Sequence, residues 1–318
     1  MATLWLLDDV PSPTQDSETL RKAVQGFGTD EEAIILTLGR RNASQRREIR
    51  EKYQQLYKEH LIDRLYSELS GDFRKAVMLW TYDPPERDAI LANETLRARR
   101  KGPKELQVIV EIACASSPHH LMAVRQAYCS RFDGSIEEDI ASLVPLPLKK
   151  ILVGLVSSFR YDKELVNADV ANSEAEILHN AIKMKQLDND DLVYVLSTRS
   201  FSQIRATFKS YEQRFGNHIH EDIKASGNGT LESLLGVVIW CIDTPEKHFA
   251  EVIRTSILGL GTDEDSLTRA IVTRAEIDLK KVRAEYLKMY KSSLDNDVTG
   301  DTSGDYRRFL MTLLGSKR

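Results

Sequence analysis

The chain predicts an all-α protein built from four related units. Three observations carry that reading. Apolar residues recur at helical intervals, and alternating β-branched runs are nearly absent. One N-terminal segment also returns near the C-terminus at a fixed offset. A shift of 233 positions sets Gly28, Arg41, Tyr53, Tyr57, Leu61 and Glu68 against Gly261, Arg274, Tyr286, Tyr290, Leu294 and Asp301.

The elements follow in order. In the first unit Thr29 with Glu32 has the T-x-x-E spacing of a capping box, in which side chains satisfy free amides at a helix start. Leu61, Leu65, Leu69 and Phe73 lie four apart, the interval of one helix face. Glu105–Ala115 resembles Glu31–Arg41 and marks a second unit. In a third, Val193–Tyr211 resembles Ile35–Tyr53, Ser173 with Glu176 gives S-x-x-E, and Leu192 and Leu196 share a face. Val282, Tyr286 and Tyr290 repeat the four-residue interval in the last. The second-glycine position falls at residues 28, 102, 186 and 261, at intervals of 74, 84 and 75. No low-complexity linker separates the units, so they are expected to pack together.

Composition narrows the class. With 42% hydrophobic and 29% charged residues and a net charge of −4, the chain reads as a soluble globular protein. It lacks the general basicity of a nucleic-acid binder. Attraction to an anionic membrane would have to be local or supplied by a cation. The longest apolar stretch, Leu234–Ile242, falls far short of the roughly 20 residues of a spanning helix. Met1–Pro13 lacks the blocks of a signal peptide. Cys114, Cys129 and Cys241 show no C-x-x-C spacing and read as reduced thiols of a cytosolic protein. Arg46-Arg47 and Arg97 to Lys101 read as solvated surface.

The repeated segment carries chemistry. Gly26-Phe27-Gly28-Thr29-Asp30-Glu31 and Gly259-Leu260-Gly261-Thr262-Asp263-Glu264 match, and Glu68 and Asp301 follow the second glycines at the same distance. Calcium takes six to eight oxygens and mixes backbone carbonyls with a carboxylate. Paired glycines can aim carbonyls at one point, a distant acid closes the set, and Thr29 and Thr262 are expected to cap the helices that follow. The EF-hand loop is absent. The middle units lose both parts together. Lys101-Gly102-Pro103-Lys104 has Leu143 at the acid position, and Lys185-Gln186-Leu187 has Lys224–Ser226. Joint loss fits ligands of one site. Phe27 and Leu260, between the glycines, allow two readings: insertion among lipid headgroups, or packing on their own unit.

These loops, with Val272-Thr273-Arg274-Ala275-Glu276-Ile277-Asp278, resemble the annexins. Leu79-Trp80-Thr81-Tyr82-Asp83-Pro84-Pro85-Glu86-Arg87-Asp88-Ala89 resembles the plant branch. The resemblance implies four five-helix repeats, at 14–85, 86–164, 165–248 and 249–318, forming a slightly curved disc. It implies calcium sites made by the carbonyls of Val24, Gly26 and Gly28 with Glu68, and of Ile257, Gly259 and Gly261 with Asp301. It also implies reversible, calcium-dependent binding to acidic phospholipid by a monomeric, cytoplasmic protein that becomes peripheral on membranes. Glu111 and Arg269 match a charged pair of a central pore, and Asp88 matches an acid there whose arginine partner is replaced near Ser116. Cys114 and Cys241 match cysteines proposed as a redox centre, against the alternative of two buried, inert thiols. The histidine tied to peroxidase activity matches Arg40, so the protein is expected not to be an enzyme. Ile204-Arg205-Ala206 partly matches an actin motif, leaving actin as a candidate partner. Asp297-Val298-Thr299-Gly300 fits a short nucleotide pattern without any phosphate-cradling loop.

Overall fold

The computed structural model describes residues 1–4, 9–26, 28–259 and 261–316. Among them there are twenty helices and no strand, and the helices fall into four groups of five. The first group is α1 (Pro13–Ala23), α2 (Glu31–Leu38), α3 (Ala43–Tyr57), α4 (Leu61–Glu68) and α5 (Gly71–Thr81). The second is α6 (Pro84–Arg97), α7 (Pro103–Cys114), α8 (Pro118–Phe132), α9 (Ile136–Leu143) and α10 (Leu148–Ser157). The third is α11 (Ala168–Lys183), α12 (Asp190–Thr198), α13 (Phe201–Phe215), α14 (Ile219–Ser226) and α15 (Thr230–Asp243). The fourth is α16 (Pro245–Ser256), α17 (Glu264–Arg274), α18 (Leu279–Tyr290), α19 (Leu294–Asp301) and α20 (Gly304–Leu313).

Local chemistry sets the boundaries. Ser12 with Gln15 and Asn42 with Gln45 form capping boxes that start α1 and α3. The third helix of every group stops at a left-handed residue: Lys58, Asp133, Gly216 and Lys291. Two expected caps are corrected. Asp30 and Asp263, not Thr29 and Thr262, accept the backbone N–H of Ala33 and Ser266 at the starts of α2 and α17. Aspartate caps as well as threonine does, and the loop needs one more residue before the helix. Ser173 lies inside α11, which Asn167 caps. The Leu61–Phe73 spacing also crosses a helix end. Leu69 is the C-cap of α4 and Phe73 belongs to α5, yet all four side chains are buried.

The chain divides into two compact units. One comprises Met1–Arg87 with Glu246–Arg318, and the other Asp88–Pro245. Each is centred on the second and fifth helices of its two groups. In the first unit α2, α5, α17 and α20 pack together, with Trp80, Leu38, Phe309 and Leu313 buried among them. In the second unit α7, α10, α12 and α15 do the same, with Ile109, Leu152, Leu196 and Val238 buried.

Buried ion pairs tie the first unit together. Arg41 makes a bidentate pair with Asp16 at 2.7 and 2.8 Å. Arg46, expected on solvated surface, is buried. Its guanidinium lies 3.7 Å from the Trp80 ring centroid and donates to Glu276 at 2.8 Å and to the Arg41 carbonyl. Burial lowers its pKa to about 10, against the pull of Glu276. The other Glu276 oxygen accepts the Ala43 N–H at 2.7 Å. One carboxylate from the fourth group thus fixes the start of α3 in the first. Glu276→Ala should lower stability by about 3 kcal/mol, because it strands a buried guanidinium. Arg47→Ala, at an exposed side chain, should change it by less than about 0.5 kcal/mol. Urea midpoints of the two variants check the contrast.

Candidate metal centre

Both glycine loops, and both acids, belong to the first unit. The loops agree in backbone geometry. Gly26 and Gly28 have φ of +100° and +90°, Gly259 and Gly261 of +112° and +92°. A side chain rarely adopts these angles. A Cβ at any of the four would meet nothing within 4 Å, so backbone conformation rather than space requires glycine. A hydrogen bond spans each loop, from Asp30 N–H to the Ala23 carbonyl at 2.9 Å and from Asp263 N–H to the Ser256 carbonyl at 2.7 Å. The glycines are exposed and the Val24 side chain is buried.

Each acid ends a helix. Glu68 is the last residue of α4 and Asp301 the last of α19. Leu143 and Ser226 occupy that same helix end in α9 and α14. The glycine angles are missing there too: Gly102 is extended, and Lys185 is left-handed beside Gln186. The pairing of positive-φ glycines with an acid at this helix end therefore occurs in the first and fourth groups only.

The two loops differ in their polar contacts. In the fourth group the Thr262 hydroxyl donates to the Asp301 carboxylate at 2.5 Å and approaches its carbonyl at 3.1 Å, tying the loop to α19. In the first group the Arg64 guanidinium lies 3.1 Å from the Glu68 carboxylate and donates to the Val24 carbonyl. Arg64 escaped the sequence reading. Its signal was positional. Eleven residues after the buried tyrosine, the other groups carry Asp139, Asp222 and Asp297.

Among the described residues no three or more His, Cys, Asp or Glu gather as a metal cluster. A cation in these loops would then draw most of its shell from backbone oxygens, with few side-chain acids, a donor set that suits a hard ion such as calcium better than zinc. The oxygens of Val24, Gly26, Gly28 and Glu68, and those of Ile257, Gly259, Gly261 and Asp301, fit that requirement. Phe27 and Leu260, the expected membrane contacts, lie outside the described residues. Leu258, which the sequence reading did not single out, is 55% exposed on the fourth-group loop.

Glu111 is buried on α7 in the second unit and Arg269 is buried on α17 in the first. Asp88 faces His120 at 2.7 Å. Cys114 and Cys241 are buried on α7 and α15, which pack against each other, whereas Cys129 is exposed. Burial pushes the Cys114 thiol up to about 11, although the Arg160 guanidinium beside it pulls the other way.

The annexin family model matches residues 15–80, 173–238 and 248–313. Annexin D3 of Arabidopsis thaliana is 59% identical over 320 residues, covering 100% of both chains. A solved structure of annexin III has a TM-score of 0.91 at 30% identity and covers 100% of this chain and 98% of its own. A calcium-bound structure of annexin (Sm)1 has a TM-score of 0.86 at 29% identity, covering 99% of this chain and 93% of its own.

Two outcomes follow from the loop and the thiols. Gly259→Ala should raise the calcium needed for binding and cost about 2 kcal/mol, because alanine is strained at that φ. Gly300→Ala, in a helix with open space around it, should leave calcium binding unchanged and stability unchanged or slightly higher. Calcium titration and melting temperature read both. For the thiols, a disulfide reagent should modify Cys129 in the native protein and Cys114 only after unfolding. Because folding raises the Cys114 pKa from 9.0 to about 11, its contribution to stability is complete below pH 9.0 and is lost as pH rises through about 11. Denaturation midpoints of the wild type and Cys114→Ala across that window should converge.

Proposed function

Because the chain belongs to the annexin family, on its plant branch, we propose that it binds acidic phospholipid membranes in response to calcium, through the loops at Gly26–Gly28 and Gly259–Gly261. The observation that carries this reading is the twofold pairing of positive-φ glycines with an acid at a helix end. The carbonyls of Val24, Gly26 and Gly28 with Glu68 would hold one ion, and those of Ile257, Gly259 and Gly261 with Asp301 the other. Bound calcium supplies positive charge and open coordination positions for lipid phosphate oxygens.

Electrostatics favour this division of labour. The chain carries a net charge of −4 and gains little from an anionic surface by itself. Among the described residues no helix is long and apolar enough to cross a membrane. The exposed Leu258 would touch the headgroup layer beside the ion. With one acid and neutral carbonyls, each lipid-free loop should bind calcium weakly, at about 10⁻⁴ to 10⁻³ M, and lipid should tighten it. The role is one of reversible attachment rather than catalysis, with the protein peripheral on membranes when calcium rises.

Glu68→Gln and Asp301→Asn should each raise the calcium needed to sediment with phosphatidylserine vesicles, and together should nearly abolish sedimentation. Melting temperatures should change little, since both side chains are partly exposed. A double variant that sediments at the wild-type calcium level overturns the site assignment.

A further inference from the structure

The two loops match in backbone but not in what sits on their oxygens. In three of the four groups the buried tyrosine donates to an aspartate eleven residues on: Tyr128 to Asp139, Tyr211 to Asp222 at 2.7 Å, and Tyr286 to Asp297 at 2.7 Å. In the second and fourth groups an arginine joins from the group's first helix, Arg97 to Asp139 and Arg254 to Asp297. The first group departs from this. Tyr53 and Arg21 meet Glu59 instead, and the vacated position holds Arg64. That guanidinium reaches Val24 and Glu68, two members of the proposed ligand set of the first loop.

We propose that Arg64 is a resident counter-cation of the first loop, which calcium must displace, so that the two loops fill at different calcium concentrations. This rests on the calcium reading above. The guanidinium neutralises the single acid of that loop and engages one of its carbonyls, the two roles an incoming ion would take. At the fourth loop the same position is Asp297, held by Tyr286, Ser292 and Arg254. Among the described residues the Asp301 carboxylate meets only a hydroxyl there, the neutral Thr262. The fourth loop therefore takes calcium first, and the first loop at a higher concentration. Arg64 is a positioning and competing group, not a ligand.

The test isolates the first loop in an Asp301→Asn background and titrates calcium chloride, with phosphatidylserine vesicles by sedimentation and without lipid by calorimetry. Adding Arg64→Ala should lower the calcium requirement about tenfold in both assays, a factor that corresponds to about 1.4 kcal/mol. Arg64→Gln, which keeps the stem and removes the charge, should do the same and guards against a folding defect, with melting temperature measured on each. Arg64→Lys should retain most of the competition. In the same background Glu68→Gln should abolish the response. An unchanged or raised calcium requirement in both Arg64→Ala and Arg64→Gln overturns the competing role. Vesicle binding that survives Glu68→Gln in this background overturns the calcium reading itself, a separable result.

Discussion

The first unit depends on a guanidinium that has been taken out of water. Arg46 is held there by three partners that replace much of its hydration, the Glu276 carboxylate, the Arg41 carbonyl and the face of Trp80, while its Nε stays without a hydrogen-bond partner. Trp80 is fixed in turn by donating its ring N–H to the Leu38 carbonyl at 2.8 Å. Residues 38, 41, 46 and 80 come from one end of the sequence and residue 276 from the other. Their mutual satisfaction holds the first and fourth groups in one body, and with them the two glycine loops.

Internal comparison separates framework from function. The tyrosine–aspartate pair persists in the second, third and fourth groups whether or not a glycine loop is present. The loop and its acid occur in the first and fourth only. Burial raises the hydroxyl pKa of all these tyrosines, to about 12 for Tyr128 and Tyr286, so they remain protonated donors. The pair is a brace between the third and fourth helices of a group. A group can lack the glycine loop and its acid and keep its brace, as the second and third do.

The repeat, the helical class and the loop–acid pairing were legible because each recurs along the chain, and chance rarely repeats a glycine-to-acid spacing of that length. What stayed hidden depends on partners distant in sequence. Arg41 and Arg274 occupy equivalent positions and both form buried bidentate pairs, yet the acid is Asp16 on another helix for one and Asp278, four residues on, for the other. Arg46 looked solvated because its polar neighbours in sequence say nothing of Glu276. Thr29 and Asp30 are both capping residues, and only the loop closure from Asp30 to Ala23 decides between them. Arg64 was hidden for a related reason: an arginine on a helix is ordinary until the other groups show what it replaces.

The order of the two units along the chain has a consequence for biosynthesis. Residues 88–245 form a continuous unit and can complete their core while the chain is still being made. The first unit is interrupted by them. Its early helices emerge with an apolar face whose partners, α17 and α20, come only after the whole second unit has been made. Loop-closure entropy must be overcome before those contacts form. On a ribosome, the glycine loop that appears first therefore reaches its finished setting last. Both loops therefore stand on one core that closes only when α17 and α20 have joined α2 and α5.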